Sequence, residues 1–244
     1  MSKITREKWK VWGNVFDEFT LRTIFKLSSR GYFEELESPI FVGKESNVFT
    51  AKTKDDSRII VKIYRLETCD FNHMYDYIKG DPRYASLKKQ RRKIIFAWTQ
   101  REYRNLMKSR EAGVNCPTPL AFTNNVLLLE YIGDEHISEI ALKIKDDVPE
   151  NLQKFFDEVI ENMKKLYKVG YVHGDLSAFN ILNYKQRPVL IDFSACTILD
   201  DSRAEEYLIR DIRNVCAFFK KQGLKVDEAE AKQRITGKAL KTKN

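Results

Sequence analysis

The sequence predicts an α+β protein in two lobes, a five-stranded antiparallel sheet with one long helix followed by a mostly helical half. Three observations carry this. The first half holds short apolar runs broken by turn residues, as in "SPIFVGKESNVFTAKTKDDSRIIVKIY" and "PLAFTNNVLLLEYI". The second half holds long runs with a period near 3.6, above all "PENLQKFFDEVIENMKKLYKVG". The pattern changes at Gly133 to Glu135, and a joint between lobes is where ligands bind.

In chain order, "DEFTLRTIFKLSSRG" predicts an amphipathic helix with Leu21, Ile24 and Phe25 on one face and Gly31 as its stop. It belongs to an N-terminal extension over residues 1–36. Strands follow at Pro39 to Val42, Asn47 to Lys52 and Arg58 to Tyr64, joined by "GKES" and "KDDS" turns. Residues 65–93 have no convincing period, and Gly80-Asp81-Pro82 breaks any helix there, so a mobile loop is expected. A long helix runs from Ile94 to Ala112, and a hairpin around Asn124-Asn125 closes the N-lobe, residues 37–132. In the C-lobe, residues 133–226, the helix above buries Leu152, Phe155, Phe156, Val159, Met163 and Leu166. A loop with two short strands and a last helical segment, Asp201 to Gly223, complete it. Residues 227–244 read as a fraying basic tail.

At 244 residues, with 43% hydrophobic and 32% charged positions, the chain has the make-up of a soluble globular protein. The longest apolar run, Val126 to Ile132, is too short to span a bilayer and contains Glu130. The first residues lack the apolar stretch of a secretory signal, so a cytoplasmic protein without membrane contact is expected. Four scattered cysteines without a CxxC pair predict reduced thiols, with neither zinc nor disulfides. The net charge of +8 favours polyanionic partners, and much of it sits in "KKQRRK" (Lys88 to Lys93) and "KALKTKN" at the end. Such runs are commonly solvated faces; RNA contact is the sharper reading.

The chemistry concentrates in few residues. Lys62 interrupts the apolar strand "IIVKIY", and an unpaired buried ammonium is costly. Glu102 on the long helix is a plausible partner, and together they suit nucleotide phosphates; the plainer alternative is a surface lysine on an edge strand. The "VGKES" turn offers backbone N–H groups and the Ser46 hydroxyl to an anion, although an ordinary hairpin turn fits it equally. "HGDLSAFNILNYKQRPVLIDFS" sets Asp175, Asn180 and Asp192 in an order suited to Mg²⁺, a hard ion needing few protein ligands beside phosphates. Asp175 could accept or orient the proton of an attacking hydroxyl. His173 reads as a packing histidine before a catalytic one.

From about Val15 to Val226 the sequence resembles the RIO family of atypical serine/threonine protein kinases. The resemblance rests on "GKESNVF", "VKIYR", "GDPRY", "WTQREYRNL", "LLLEYIG", "HGDLSAFNIL", "LIDFS" and "YLIRDIRNV". It is greatest to the first branch, which lacks the full winged-helix domain of the second. The phosphate turn departs from that branch, because Phe41-Val42 stands where it usually reads Ser-Thr. The resemblance implies a two-lobed protein-kinase-like fold without an activation loop, and ATP with Mg²⁺ (or Mn²⁺). By position, Asp175 would be the catalytic aspartate, and Asn180 and Asp192 would hold the metal. Lys62 would bind phosphates and pair with Glu102, Ser46 would touch the triphosphate, and the backbone of Glu130 and Ile132 would bind adenine. Asp211 would brace the catalytic loop. The family also implies transfer to protein Ser/Thr, autophosphorylation, and an ATPase switch through a phospho-aspartate on Asp192 in small-subunit ribosome biogenesis. Partners would then be ATP, a protein substrate or the chain itself, and a pre-ribosomal particle or its rRNA through the basic segments.

Three other readings compete. An aminoglycoside-type small-molecule phosphotransferase shares HGD…N but has a larger, acidic acceptor pocket, whereas this C-terminal half is short and ends basic. The small kinase of the tRNA threonylcarbamoyl complex would show a KxRxxKxYR-like stretch, which "VKIYRLETCDF" does not. A non-catalytic, RNA-binding pseudokinase would need a broken trio, yet Lys62, Asp175, Asn180 and Asp192 are all present.

Overall fold

A computed structural model describes residues 15–134 and 139–237. Asp17 caps the first helix, α1 (Glu18–Ser29), by accepting the Thr20 N–H at 3.0 Å. Strands β1 (Glu35–Val42), β2 (Ser46–Lys52) and β3 (Arg58–Tyr64) follow as an antiparallel meander. After helix α2 (Phe71–Ile78) and a short 3₁₀ turn at Pro82–Tyr84, the long helix α3 (Arg91–Glu111) leads into the hairpin β4 (Pro119–Thr123) and β5 (Val126–Glu130). The expected five-stranded sheet forms in the order β1-β2-β3-β5-β4, antiparallel throughout.

The second half contains the short strands β6 (Gly133–Asp134), β7 (Glu139–Ile140) and β8 (Leu142–Lys143), then helix α4 (Leu152–Lys168). Strands β9 (Tyr171–Val172), β10 (Ile181–Tyr184), β11 (Arg187–Leu190) and β12 (Thr197–Ile198) surround the motif-bearing loop. Helices α5 (Ala204–Lys221) and α6 (Glu228–Thr236) close the fold.

Two cores make the N-lobe sheet double-sided. Alternate residues of β3 and β5 (Ile59, Val61, Ile63, Val126, Leu128) bury against Ile24 and Leu27 of α1. The intervening Ile60, Tyr64, Leu127 and Leu129 join a larger core with α3 and the C-lobe. Helix α1 thereby covers the outer face of the N-lobe sheet. The apolar face of α1 is rotated from expectation: Thr20, Thr23, Ile24 and Leu27 are buried, while Phe25 is 54% exposed.

Two segments correct the sequence reading. Residues 65–93, expected without regular structure, contain α2, whose Met74, Tyr77 and Ile78 bury against α3 and the C-lobe. Asp70 caps it at the His73 N–H. Eight residues are too few to be stable alone, so packing and the cap decide its helicity. The segment after Val226, expected to fray, forms α6 with Asp227 as N-cap and buries Ala231 and Ile235 against α4 and α5. Within α6 Glu228 and Glu230 balance Lys232 and Arg234, so the basic character belongs to "KALKTKN", residues 238–244, which lie outside the described residues. Glu135 of the lobe joint also lies outside them. The "KKQRRK" run is partly spent within the fold: Arg91 sits over the Phe71 ring and donates to the Glu67 carbonyl at 2.8 Å, and Arg92 sits over Phe19.

Candidate active site

The alternation along β3 turns Lys62 inward. Its Nζ lies 2.8 Å from Glu102 Oε1 on α3 and 3.0 Å from Asp192 Oδ1 in the C-lobe. The Lys62 side chain is 7% exposed, that of Glu102 1% and that of Asp192 39%, so an ion pair buried on one side opens towards the cleft on the other. The edge-strand alternative for Lys62 is excluded, since β3 lies between β2 and β5. Tyr64, two residues on and on the same face, donates its hydroxyl to the second Glu102 oxygen. Burial disfavours the Lys62 ammonium, but Asp192 and Glu102 outweigh it and raise its pKa above the ordinary lysine range. Burial also raises the Glu102 carboxyl, with Lys62 opposing.

Asp192 follows the apolar strand β11 and adopts φ 60°, a left-handed conformation that costs a non-glycine residue about 1–2 kcal/mol. Its neighbours hold it there. Ile191 donates its N–H to the Asn180 carbonyl at 3.0 Å, and Asn105 donates to the Phe193 carbonyl at 3.1 Å. Burial alone would raise the Asp192 carboxyl; Lys62 and a 2.6 Å hydrogen bond from the Ser194 hydroxyl reverse that and hold it at about 2. Both contacts fall on Oδ1, leaving Oδ2 for a ligand.

The loop carrying Asp175 is anchored on either side of it. Gly174 and Leu176 each donate a backbone N–H at 2.8 Å to one carboxylate oxygen of Asp211, which is fully buried in α5. Burial pushes the Asp211 carboxyl up to about 7 against those two bonds and the nearby Arg210. Gly174 has φ +79°, and a Cβ there would meet the Ala195 carbonyl oxygen at 2.8 Å. This position accepts only glycine, for steric reasons. Asn180 donates through Nδ2 to the Asp175 carbonyl at 2.8 Å and to its carboxylate at 3.1 Å, which leaves Oδ1 as an acceptor. Partial burial and the charge of Asp192 raise the Asp175 carboxyl above its ordinary range. His173 is buried; its Nε2 donates to the Ile191 carbonyl at 3.0 Å and its ring packs on Phe193. Burial lowers its pKa to about 4, so it packs as a neutral ring.

At the turn between β1 and β2, Gly43 donates to the Ser46 carbonyl at 3.0 Å. Ser46 opens β2 opposite Tyr64. The first residues after β3 hold this turn from behind: Arg65 donates its N–H to the Glu45 carbonyl at 2.9 Å, and Thr68 donates to the Lys44 carbonyl at 2.9 Å. At the lobe joint, the Glu130 carboxylate accepts from the Thr118 N–H (2.8 Å) and hydroxyl (2.6 Å), and its N–H donates to the Thr118 carbonyl. The Ile132 carbonyl is taken by the Ala141 N–H at 2.9 Å. The structure thus joins Lys62, Glu102 and Asp192 in one network and Asp175 with Asn180 in an adjacent one. Ser46, Glu130 and Ile132 stand outside both side-chain networks.

Sequence reasoning missed Tyr64, although its period-2 spacing from Lys62 was a usable signal. It also missed that Ser194 bonds Asp192, and that Glu45 has its carboxyl raised by partial burial and by Asp192. Among the described residues, no group of three or more His, Cys, Asp or Glu is arranged to hold a metal by itself. The free oxygens of Asp192 and Asn180 fit a hard divalent ion whose other ligands are phosphate oxygens and water.

A sheet lysine paired with a helix glutamate, above an Asp–Asn–Asp set in a helical lobe, defines a two-lobed kinase-like fold. The Rio2 kinase of Chaetomium thermophilum, solved as an ADP/Mg²⁺-phosphoaspartate complex, superimposes on it with a TM-score of 0.66 at 20% identity. That match covers 88% of this chain, which spans 66% of that structure's chain. The sequence profile of the RIO domain matches residues 47–232. RIO-type serine/threonine-protein kinase Rio1 of Methanocaldococcus jannaschii is 40% identical over 96% of this chain and 80% of its own length. The corresponding protein of Haloferax volcanii is 38% identical over 95% and 79%. The chain belongs to the RIO family.

Proposed function

We propose that the chain is a RIO-type serine/threonine kinase and ATPase that binds ATP with Mg²⁺, or Mn²⁺, and transfers its γ-phosphoryl group. The observation that carries this is the single network in which buried Glu102 holds Lys62 against Asp192 across the cleft. Phosphoryl transfer depends mainly on positioning and charge neutralisation, and this network supplies a fixed cation beside a carboxylate that stays ionised. A divalent ion, when bound, would neutralise phosphate charge. Asp192 Oδ2 and Asn180 Oδ1 would hold it, and Ser46 with the turn's backbone would face the triphosphate. Asp175, its loop fixed by Asp211, would orient an attacking hydroxyl and accept its proton, for which a raised carboxyl is suited. The Ile132 N–H and the Glu130 carbonyl would meet the adenine edge.

The phosphoryl group has three acceptors in this reading: a protein Ser/Thr hydroxyl, including the chain's own, water, and Asp192. The solved relative named as a phosphoaspartate complex supports the third. The basic segments and the family support a cytoplasmic role on a pre-ribosomal particle or its rRNA. No helix of the described residues is long and apolar enough to cross a membrane. Incubation with γ-labelled ATP and Mg²⁺ tests the proposal. Label released as phosphate, with a hydroxylamine-labile fraction on the chain that Asp192→Asn abolishes, supports the ATPase switch. Label confined to Ser/Thr removes the switch, and no transfer to any acceptor removes the function.

A further inference from the structure

Residues 65–90 are more than a connection between β3 and α3. We propose that this insert positions both cleft aspartates through two arginine relays, with Tyr77 and Asp81 as its positioning residues; the catalytic consequence rests on the function proposed above.

The first relay reaches Asp175. Tyr77 of α2 is 9% exposed, stacks on Tyr207 of α5 at 5.3 Å and meets Trp98 of α3 edge-on at 5.9 Å. Its hydroxyl accepts a hydrogen bond from Arg210 Nη2 at 3.3 Å. The same Nη2 donates to the carbonyl of Gly174, the residue immediately before Asp175. Arg210 thus bridges the insert to the loop, and the Tyr77 hydroxyl sets where the guanidinium sits.

The second relay reaches Asp192. Asp81 is 2% exposed and gathers two arginines. Arg83 donates to it at 2.6–3.0 Å, and the Nε of Arg101, whose side chain is fully buried, lies 3.6 Å away. Arg101 then donates through Nη1 to the Ser194 carbonyl at 2.6 Å. Arg83 donates to Asn105 Oδ1 at 3.3 Å, and Asn105 donates to the Phe193 and Cys196 carbonyls at 3.1 and 2.9 Å. The backbone just after Asp192 is therefore held by groups that the insert orients.

Three features separate this from ordinary packing. Both relays end on backbone carbonyls adjoining a cleft aspartate, where a small rotation moves the carboxylate. Asp192 also sits in a left-handed conformation that relaxes unless its neighbours hold it. A buried Arg101 with Nε and Nη2 lacking hydrogen-bond partners depends on the Asp81 charge to stay where it is.

Amide hydrogen exchange and single-turnover kinetics, both on the full chain, test the inference. Tyr77→Phe keeps both ring contacts and removes only the hydroxyl. It should speed exchange about 5-fold in residues 173–180 and leave residues 191–196 unchanged. Asp81→Asn should do the reverse. Each variant should slow phosphoryl transfer about 5-fold with ATP affinity unchanged, and Tyr77→Phe should cost nothing further in an Arg210→Ala background. Exchange unchanged in both segments, raised evenly along the chain, or additive rates in that background would overturn the inference. Absence of transfer in the wild-type chain would remove the proposed function, while segment-specific exchange still decides the relays.

Discussion

Cutting the Lys62–Glu102 pair from one side, and then from both, tests whether the buried charge is held as described. At 2.8 Å and an effective dielectric constant of about 20, the gross attraction is about 6 kcal/mol, offset by the desolvation of both ions. Glu102→Leu removes the partner, leaves the Tyr64 hydroxyl without its acceptor, and keeps Lys62 only its half-open contact with Asp192. One-sided removal from a buried pair costs about 3–5 kcal/mol. The surviving Asp192 contact places this variant at the lower end, about 3 kcal/mol, or roughly 6–12 °C in Tm for a chain this size. Lys62→Met with Glu102→Leu removes both charges, fills similar volume, and should return to within about 2 kcal/mol of wild type while failing to bind nucleotide productively. Urea denaturation of the wild type, both single variants and the double variant closes the cycle. A coupling energy above about 2 kcal/mol is expected; additivity within about 0.5 kcal/mol would refute the buried pair.

Three further outcomes follow from the same contacts. Gly174→Ala should destabilise the chain by about 2 kcal/mol or more and stop phosphoryl transfer, because the methyl meets the Ala195 carbonyl at 2.8 Å and φ is +79°; denaturation and transfer assays on one preparation check it. The His173 pKa falls from 6.5 in the unfolded chain to about 4 in the fold, so below pH 6.5 the unfolded state binds the extra proton. Stability should therefore drop by about 2–3 kcal/mol between pH 7 and pH 4.5, and urea midpoints across that range should lose this component in His173→Asn. Ile235→Ala should cost about 2–4 kcal/mol if α6 is docked as described, and well under 1 kcal/mol if it frays.

The readable parts of this protein are those where one strand or helix carries its own signal. The apolar runs of β3 and β5, the turn at Asn124 and the apolar stripe of α4 locate both lobes, and Lys62 stands out as a charge in an apolar strand. The short helices were harder. In α2 and α6 the caps Asp70 and Asp227 were present, but only two or three residues of each are buried, so tertiary packing outweighed a weak local pattern. The contacts that aim the site were illegible for a different reason. Arg101 and Arg210 act on Ser194 and Gly174, 93 and 36 residues away, and nothing in local spacing predicts where a long side chain ends. Phe25 shows the same limit, since the sheet residues packed against Ile24 and Leu27 decide which face of α1 turns inward.

One comparison decides whether Asp175 serves transfer and not the fold. γ-Labelled ATP and Mg²⁺ are given to the wild-type chain and to Asp175→Ala, with nucleotide affinity measured on the same samples. Transfer to every acceptor should fall at least about 100-fold while affinity changes less than about 3-fold, as expected for a positioned acid–base group. Unchanged turnover in Asp175→Ala would contradict this role.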